Sequence, residues 1–309
     1  MLGLSLSLAT NAAYSSALSS YISFCHAHNF DCSPTPETLL FFVTYMSAHI
    51  NPQSVASYLS GIIDSLLPFY PDVKATWGSA LVKWTLQGCH CCFGTPTKRK
   101  LPLTHDDLVR AEMSLTCPLL FDNLLWVVLL FMGFFGLLRL GELAWPNPCV
   151  LHDYNKLSLR SSATFGEDWF QFAVRDAKSN SRFEGDVIRI QRSALAPDPL
   201  SHFLSYLHAH DGRFPFHPHL WLRQNGSILT RSWFLGCLRS IFPTAISGHS
   251  MQAGGATSLA AAGVPPAQIQ AIRRWSSGNW QHYIRKNPVL LQGLLFNGHG
   301  IHDPPFANV

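Results

Sequence analysis

At 309 residues the chain exceeds the usual size of one hydrophobic core, and 47% hydrophobic residues, with nine Trp and 21 Phe, exclude a disordered protein. Charged residues make up 13% and the formal net charge is +4, a balance that permits nucleic-acid binding without demanding it; the 15 histidines add positive charge only below about pH 6.5. Eight cysteines are too dilute for a disulfide framework, and the cluster Cys89, His90, Cys91 and Cys92 lacks the second ligand pair of a structural zinc site, so the thiols read as reduced and intracellular.

Met1 to Ser20 begins apolar but carries no basic segment and is studded with Ser, Thr and Asn, which does not read as a signal peptide. Thr10 or Asn11 is placed to cap a helix bearing Tyr14, Leu18, Tyr21, Ile22 and Cys25 at helical spacing. Ser33-Pro34-Thr35-Pro36-Glu37 breaks the chain, and Thr35 before Pro36 starts a second helix through His49. Asn51-Pro52 opens a third, with Val55, Leu59, Ile62, Ile63 and Leu66 on one side; Pro68 and Pro71 stop it, and Val73 to Gly88 reads as a fourth. Short helices joined by Pro-marked turns predict an all-α module over 1–93.

Gly94 to Leu103 combines Gly and Pro punctuation with the tight basic run Lys98-Arg99-Lys100, and reads as a linker over 94–103. It is either simply solvated or pressed against phosphates, and the two are compatible. Thr104-His105-Asp106-Asp107 starts a helix with acidic residues at its positive end. Leu124 to Leu138 is an apolar run shorter than the about 20 residues that span a bilayer, and so predicts a buried core helix. Leu157-Ser158-Leu159, Trp169 to Val174 and Val187 to Ile190 read as three short strands, with Asp176-Ala177-Lys178-Ser179-Asn180 at the turn after the second. Helices return from Leu200. The fold class predicted is mainly α with a small antiparallel β-sheet.

Two stretches carry chemistry. In the first, Leu138-Arg139-Leu140-Gly141-Glu142, a guanidinium can hold two oxygens of a phosphate and Glu142 can orient it; a purely structural Arg–Glu pair at helical spacing is the plainer alternative. In the second, His249-Ser250-Met251-Gln252 precedes a Gly263-Val264 pair, then Trp275, then Tyr283-Ile284-Arg285. These motifs resemble the tyrosine recombinase (phage integrase) family, whose pattern runs Arg-x-Gly-Glu, His-x-x-Arg, a Gly-Val turn, His or Trp, and Tyr. The resemblance covers most of 100–290 and extends more loosely to the helical N-terminal part. Gln252 departs from it, standing where the family has an arginine.

The resemblance implies an all-α core-binding domain over 1–93 and a catalytic domain over 104–309, closing around double-stranded DNA in a C shape. It implies a strand transferase of mobile-element origin in which Tyr283 forms a 3′-phosphotyrosyl link and releases a 5′-hydroxyl, with no metal and no nucleotide cofactor. An active copy would work as a homotetramer on DNA and as a monomer or weak oligomer off it; it would be intracellular, and nuclear if eukaryotic. Cleavage of this kind needs a nucleophile, cations fixed around the phosphate oxygens and an acid for the leaving oxygen. Arg139 would hold the phosphate, His249 would donate to a phosphate oxygen or relay a proton from the tyrosine, and Trp275, a donor only, would bind phosphate or buttress the nucleophile. Lys178 would be the acid, with a plain exposed hairpin lysine as its alternative and Arg175 or Arg182 as substitutes. Lys98, Arg99, Lys100 and Arg274 would contact DNA. Gln252 keeps an amide donor at its position but brings no charge, and the sequence leaves open whether Arg273 or Arg274 replaces it. Tyr206 is the other tyrosine worth testing as nucleophile. The alternative reading is a non-catalytic DNA-binding relic of such an enzyme, and a more distant one is a helical scaffold independent of nucleic acid.

Overall fold

The computed structural model describes residues 8–96, 100–115, 120–175, 185–194 and 196–272. The chain divides into two compact units, Met1–Lys98 and Arg99–Val309. No helix among the described residues is long and apolar enough to cross a membrane.

The first unit is helical throughout: α1 (Leu8–Ala27), α2 (Pro36–His49), α3 (Pro52–Leu66), α4 (Val73–Gly78) and α5 (Ala80–Phe93). Its starts follow local chemistry. The Thr35 hydroxyl accepts from the Thr38 amide while Thr38 Oγ1 accepts from the Thr35 amide, a reciprocal cap with proline at the first helical position. The Asn51 side chain accepts from the Gln53 amide and does the same for α3. Two expectations are corrected. Thr10 and Asn11 lie inside α1 rather than at its cap, and the single helix read over 73–88 is two, because Ser79 turns extended and its hydroxyl accepts from the Val82 amide to restart the helix. Tyr21, Leu39, Phe42, Leu59 and Ile62 fill the core with no exposure. The Tyr21 hydroxyl is satisfied there, donating to Thr38 Oγ1 at 3.2 Å.

The second unit is built around α7 (Phe121–Phe135), whose residues from Leu124 to Phe134 are all buried. A helix apolar all round needs cover all round. It receives it from α6 (His105–Met113), α9 (Pro199–Arg213) and α11 (Gly248–Ala261). A three-stranded antiparallel sheet, β1 (Thr164–Phe165), β2 (Trp169–Val174) and β3 (Asp186–Gln191), pairs in the order β1-β2-β3 with Phe170 opposite Ile190 and Phe172 opposite Ile188. Alternation puts Phe170, Phe172 and Val174 on the covered face, where Phe170 stacks on Phe203 of α9 at 4.2 Å between ring centroids. The first strand is 164–165, not 157–159. Leu159 is extended and bridges His219 instead, with Leu220 N donating to Ser158 O and Arg160 N, where a 3-10 turn begins, to Pro218 O.

From Lys100 on, the stretch read as linker is fastened to the second unit. Lys100 Nζ donates to Thr244 O at 2.8 Å, Leu101 N to Ala245 O, and Leu103 N to Ser250 O. Leu103 is buried where α11 passes over it, at Gly254, and α11 meets the end of α7 at Gly255. A Cβ at either glycine would collide with backbone, with the Leu103 carbonyl at 254 and the Phe134 carbonyl at 255. The helix ends at the Gly263-Val264 turn: Gly263 is left-handed at φ 78°, and Val264 N returns to Leu259 O at 3.0 Å.

Candidate functional site

After α7 the chain does not run straight into the Arg139 box. Gly136 closes the helix, Leu137 takes the left-handed conformation at φ 51°, and Arg139 follows in extended backbone as the cap of a single turn, α8 (Leu140–Leu143). A non-glycine residue in that region costs roughly 1–2 kcal/mol and needs surroundings that hold it there. Two such holds are visible. Leu137 is buried among Ala256, Ala260 and Ile269 of α11 and α12 (Pro266–Ile272), and its carbonyl accepts from Gln252 Nε2 at 2.7 Å.

Glu142 reaches back across the α8 turn. One carboxylate oxygen accepts from the Arg139 amide at 2.7 Å and the other from Arg139 Nη1 at 3.3 Å. The carboxylate side chain is 5% exposed and the arginine side chain 40% exposed. The orienting pair expected from sequence is therefore present, and the arginine side chain it holds stays partly exposed. The charge-assisted bond also compensates a nearly buried carboxylate that would be costly alone.

α11 begins against the same turn. Ser247 caps it, its hydroxyl accepting from the His249 amide, and the α-carbon of Gly248 lies so close to Leu140 that a Cβ would stand 2.8 Å from Leu140 Cδ2. His249, the next residue, is exposed. Gln252, one turn on, points inward with 8% exposure, its amide nitrogen engaged by the Leu137 carbonyl. Histidine and glutamine thus do not work as a matched outward pair: one is available to a ligand and the other braces the turn that presents Arg139.

A neighbour not anticipated from sequence is Arg231. It opens α10 (Arg231–Ile241), capped by Thr230, and its backbone N–H donates to Trp145 O just beyond α8. That pairing sets its guanidinium on Gly141, where Nη2 stands 2.5 Å from the position a Cβ would occupy. The available signal was Thr230-Arg231 at a helix start; nothing in the sequence linked it to residue 141.

Of the other expected site residues, Lys100 is exposed and bonded to the Thr244 carbonyl. Lys98, Arg99, Lys178, Arg182, Arg273, Arg274, Trp275 and Tyr283 lie outside the described residues, and Arg175 follows β2 on their border. Tyr206 is removed from candidacy as nucleophile. It is fully buried, its hydroxyl donates to Leu220 O at 2.9 Å and accepts from Leu222 N, and burial raises its pKa well above the usual phenol value. Among the described residues no group of three or more His, Cys, Asp and Glu could hold a metal ion.

No family model and no curated protein matches the chain. Solved structures match it in fold. The XerH site-specific recombinase bound to palindromic difH substrate, in a post-cleavage complex, is 12% identical with a TM-score of 0.60, covering 91% of this chain and 77% of that one. A lambda integrase dimer bound to a COC′ core site is 13% identical with a TM-score of 0.55, over 90% and 72%. The Tn1549 transposon integrase in complex with a circular intermediate DNA is 16% identical with a TM-score of 0.54, over 82% and 81%. The chain has the tyrosine recombinase fold: mainly helical, with a small three-stranded antiparallel sheet.

Proposed function

We propose that this chain is a DNA-binding protein of the site-specific recombinase or integrase type, which grips the backbone of double-stranded DNA and carries Tyr283 as the residue able to join it covalently. The observation that carries this reading is the α8 turn on a recombinase fold. There Arg139 is oriented by Glu142 and left accessible, with exposed His249 starting α11 beside the same turn. The similar structures are DNA complexes, which supports duplex DNA as the partner. The N-terminal helical unit would act as the core-binding domain, and Lys98, Arg99, Lys100 and Arg274 as backbone contacts.

In this reading Tyr283 attacks the phosphodiester and releases a 5′-hydroxyl, Lys178 supplies the proton to the leaving oxygen, and Arg139, His249 and Trp275 hold the phosphate. Position 252 supplies no charge to the transition state, so cleavage is slowed. A second reading, a DNA-binding relic without strand transfer, is favoured by one observation: Gln252 faces inward on the Leu137 carbonyl. A nicked suicide duplex separates the two. Binding with a faint covalent adduct that vanishes in Tyr283→Phe supports the first; binding with no adduct supports the relic. Absence of salt-dependent duplex binding would overturn both.

A further inference from the structure

We infer that Arg231 and Arg139 form one anion-binding site on the α8 turn and together hold a single backbone phosphate; the identity of that anion rests on the DNA-binding reading above. Gly141 makes room for a guanidinium. Its missing Cβ is the space filled by the Arg231 guanidinium, with Nη2 2.5 Å and Cζ 3.3 Å from the position such an atom would take. The pairing of Trp145 with Thr230 and Arg231 fixes the base of this side chain relative to the turn. Residues 139 and 141 are two apart, so their α-carbons are at most about 7 Å apart, within reach of two long side chains converging on one group.

The charge balance is uneven. Arg110, Arg160, Arg192 and Arg223 of the same unit each lie on a carboxylate, and Arg239 on the Pro243 and Ile246 carbonyls. Arg231 is exposed, and its guanidinium has no hydrogen-bond or carboxylate partner among the described residues. Among the described residues the turn therefore brings two guanidinium groups together with the Glu142 carboxylate, which bonds Arg139. Two like charges brought to one turn repel unless an anion lies between them. A guanidinium fork suits a phosphate, presenting paired N–H donors to its oxygens.

The glycine supplies a test that leaves the charge intact. In Gly141→Ala the new methyl meets the mobile end of Arg231 rather than backbone, so the fold persists and only the guanidinium moves. Binding of a fluorescent 30-base-pair duplex is followed by anisotropy against salt for wild type, Arg231→Ala, Gly141→Ala and the double variant. Leaving a phosphate without any cation lowers the slope of log K against log salt by about 0.9, and with Arg139 still on the shared phosphate the loss of Arg231 lowers it by part of that. We expect that drop in Arg231→Ala, a comparable drop in Gly141→Ala at unchanged net charge, and no further drop in the double variant. An unchanged slope in Arg231→Ala, or a normal slope in Gly141→Ala, overturns the inference. A wild type that binds no duplex refutes the function rather than the site, which is then decided by phenylglyoxal modification read by mass spectrometry. Inorganic pyrophosphate that protects Arg139 and Arg231 together upholds the site; protection of neither or only one overturns it.

Discussion

Replacing Gln252 by Leu removes one donor from the interior while nearly keeping the volume, and its cost follows from what that donor does. Gln252 is 8% exposed and Leu137 1% exposed, and the bond between them is 2.7 Å. Without it the Leu137 carbonyl is buried and unpaired there, a penalty of about 1–3 kcal/mol, partly offset by the added apolar surface. We expect a net loss of about 1–2 kcal/mol, which for a unit of this size lowers Tm by about 2–8 °C. The damage should be local as well as global, because Leu137 is the left-handed residue of the turn leading to Arg139. Hydrogen exchange should speed up at the Arg139 and Glu142 amides, which bond to Glu142 Oε2 and Arg139 O, ahead of the amides of α9. Urea denaturation and exchange mass spectrometry measure both. An unchanged urea midpoint with unchanged exchange over 136–143 would show that Gln252 braces nothing.

Three further outcomes are expected. Gln252→Arg restores a cation while keeping an N–H for the Leu137 carbonyl, and should raise covalent adduct formation on a nicked duplex by roughly 10²-fold; an equal or lower yield would mean that the site lacks more than this charge. Limited trypsin digestion without DNA should cut first at Lys98 or Arg99 and leave two stable fragments, and first cuts inside 8–93 would contradict independent units. Burial lowers the pKa of His217 and His219 below the free histidine value, so the unfolded chain binds more protons there. Stability of the second unit should be full above about pH 6.5 and fall as pH drops through the depressed folded values. A urea midpoint as steep in pH for the variant with both histidines changed to Asn would refute this assignment.

The sequence was most readable where one residue decides a local structure. Thr35 and Thr104 announce helix starts because a hydroxyl beside a free amide has few better partners, and both cap as expected. The apolar stretch from Leu124 announced its own burial. What was not readable depends on partners distant in the chain. Leu157 to Leu159 has strand composition, but its bonds go to the 218–220 loop, so no local pattern could distinguish it from a sheet strand. The same holds for the site. The Arg139–Glu142 pair is local and was legible, whereas Gln252 turning to Leu137 and Arg231 lying on Gly141 join residues far apart in sequence. Composition at position 252 reveals a missing charge; only the fold reveals a brace.

α11 has a further consequence as a matter of tolerances. Where helices meet through long side chains, a small error in one is absorbed by rotamer changes in the other. Here Gly254 and Gly255 seat the helix on the Leu103 and Phe134 carbonyls, so it is indexed against main chain. Main chain does not give, and one added methyl would displace the whole rod instead of a neighbour. His249, six residues before Gly255 on the same helix, would move with it relative to the turn bearing Arg139. An offset near 1 Å in a reacting constellation can cost about 10²-fold in rate. The glycine seat therefore acts as a gauge block: it sets the spacing between imidazole and guanidinium with little dependence on the surrounding core, and it leaves that spacing with almost no room for adjustment.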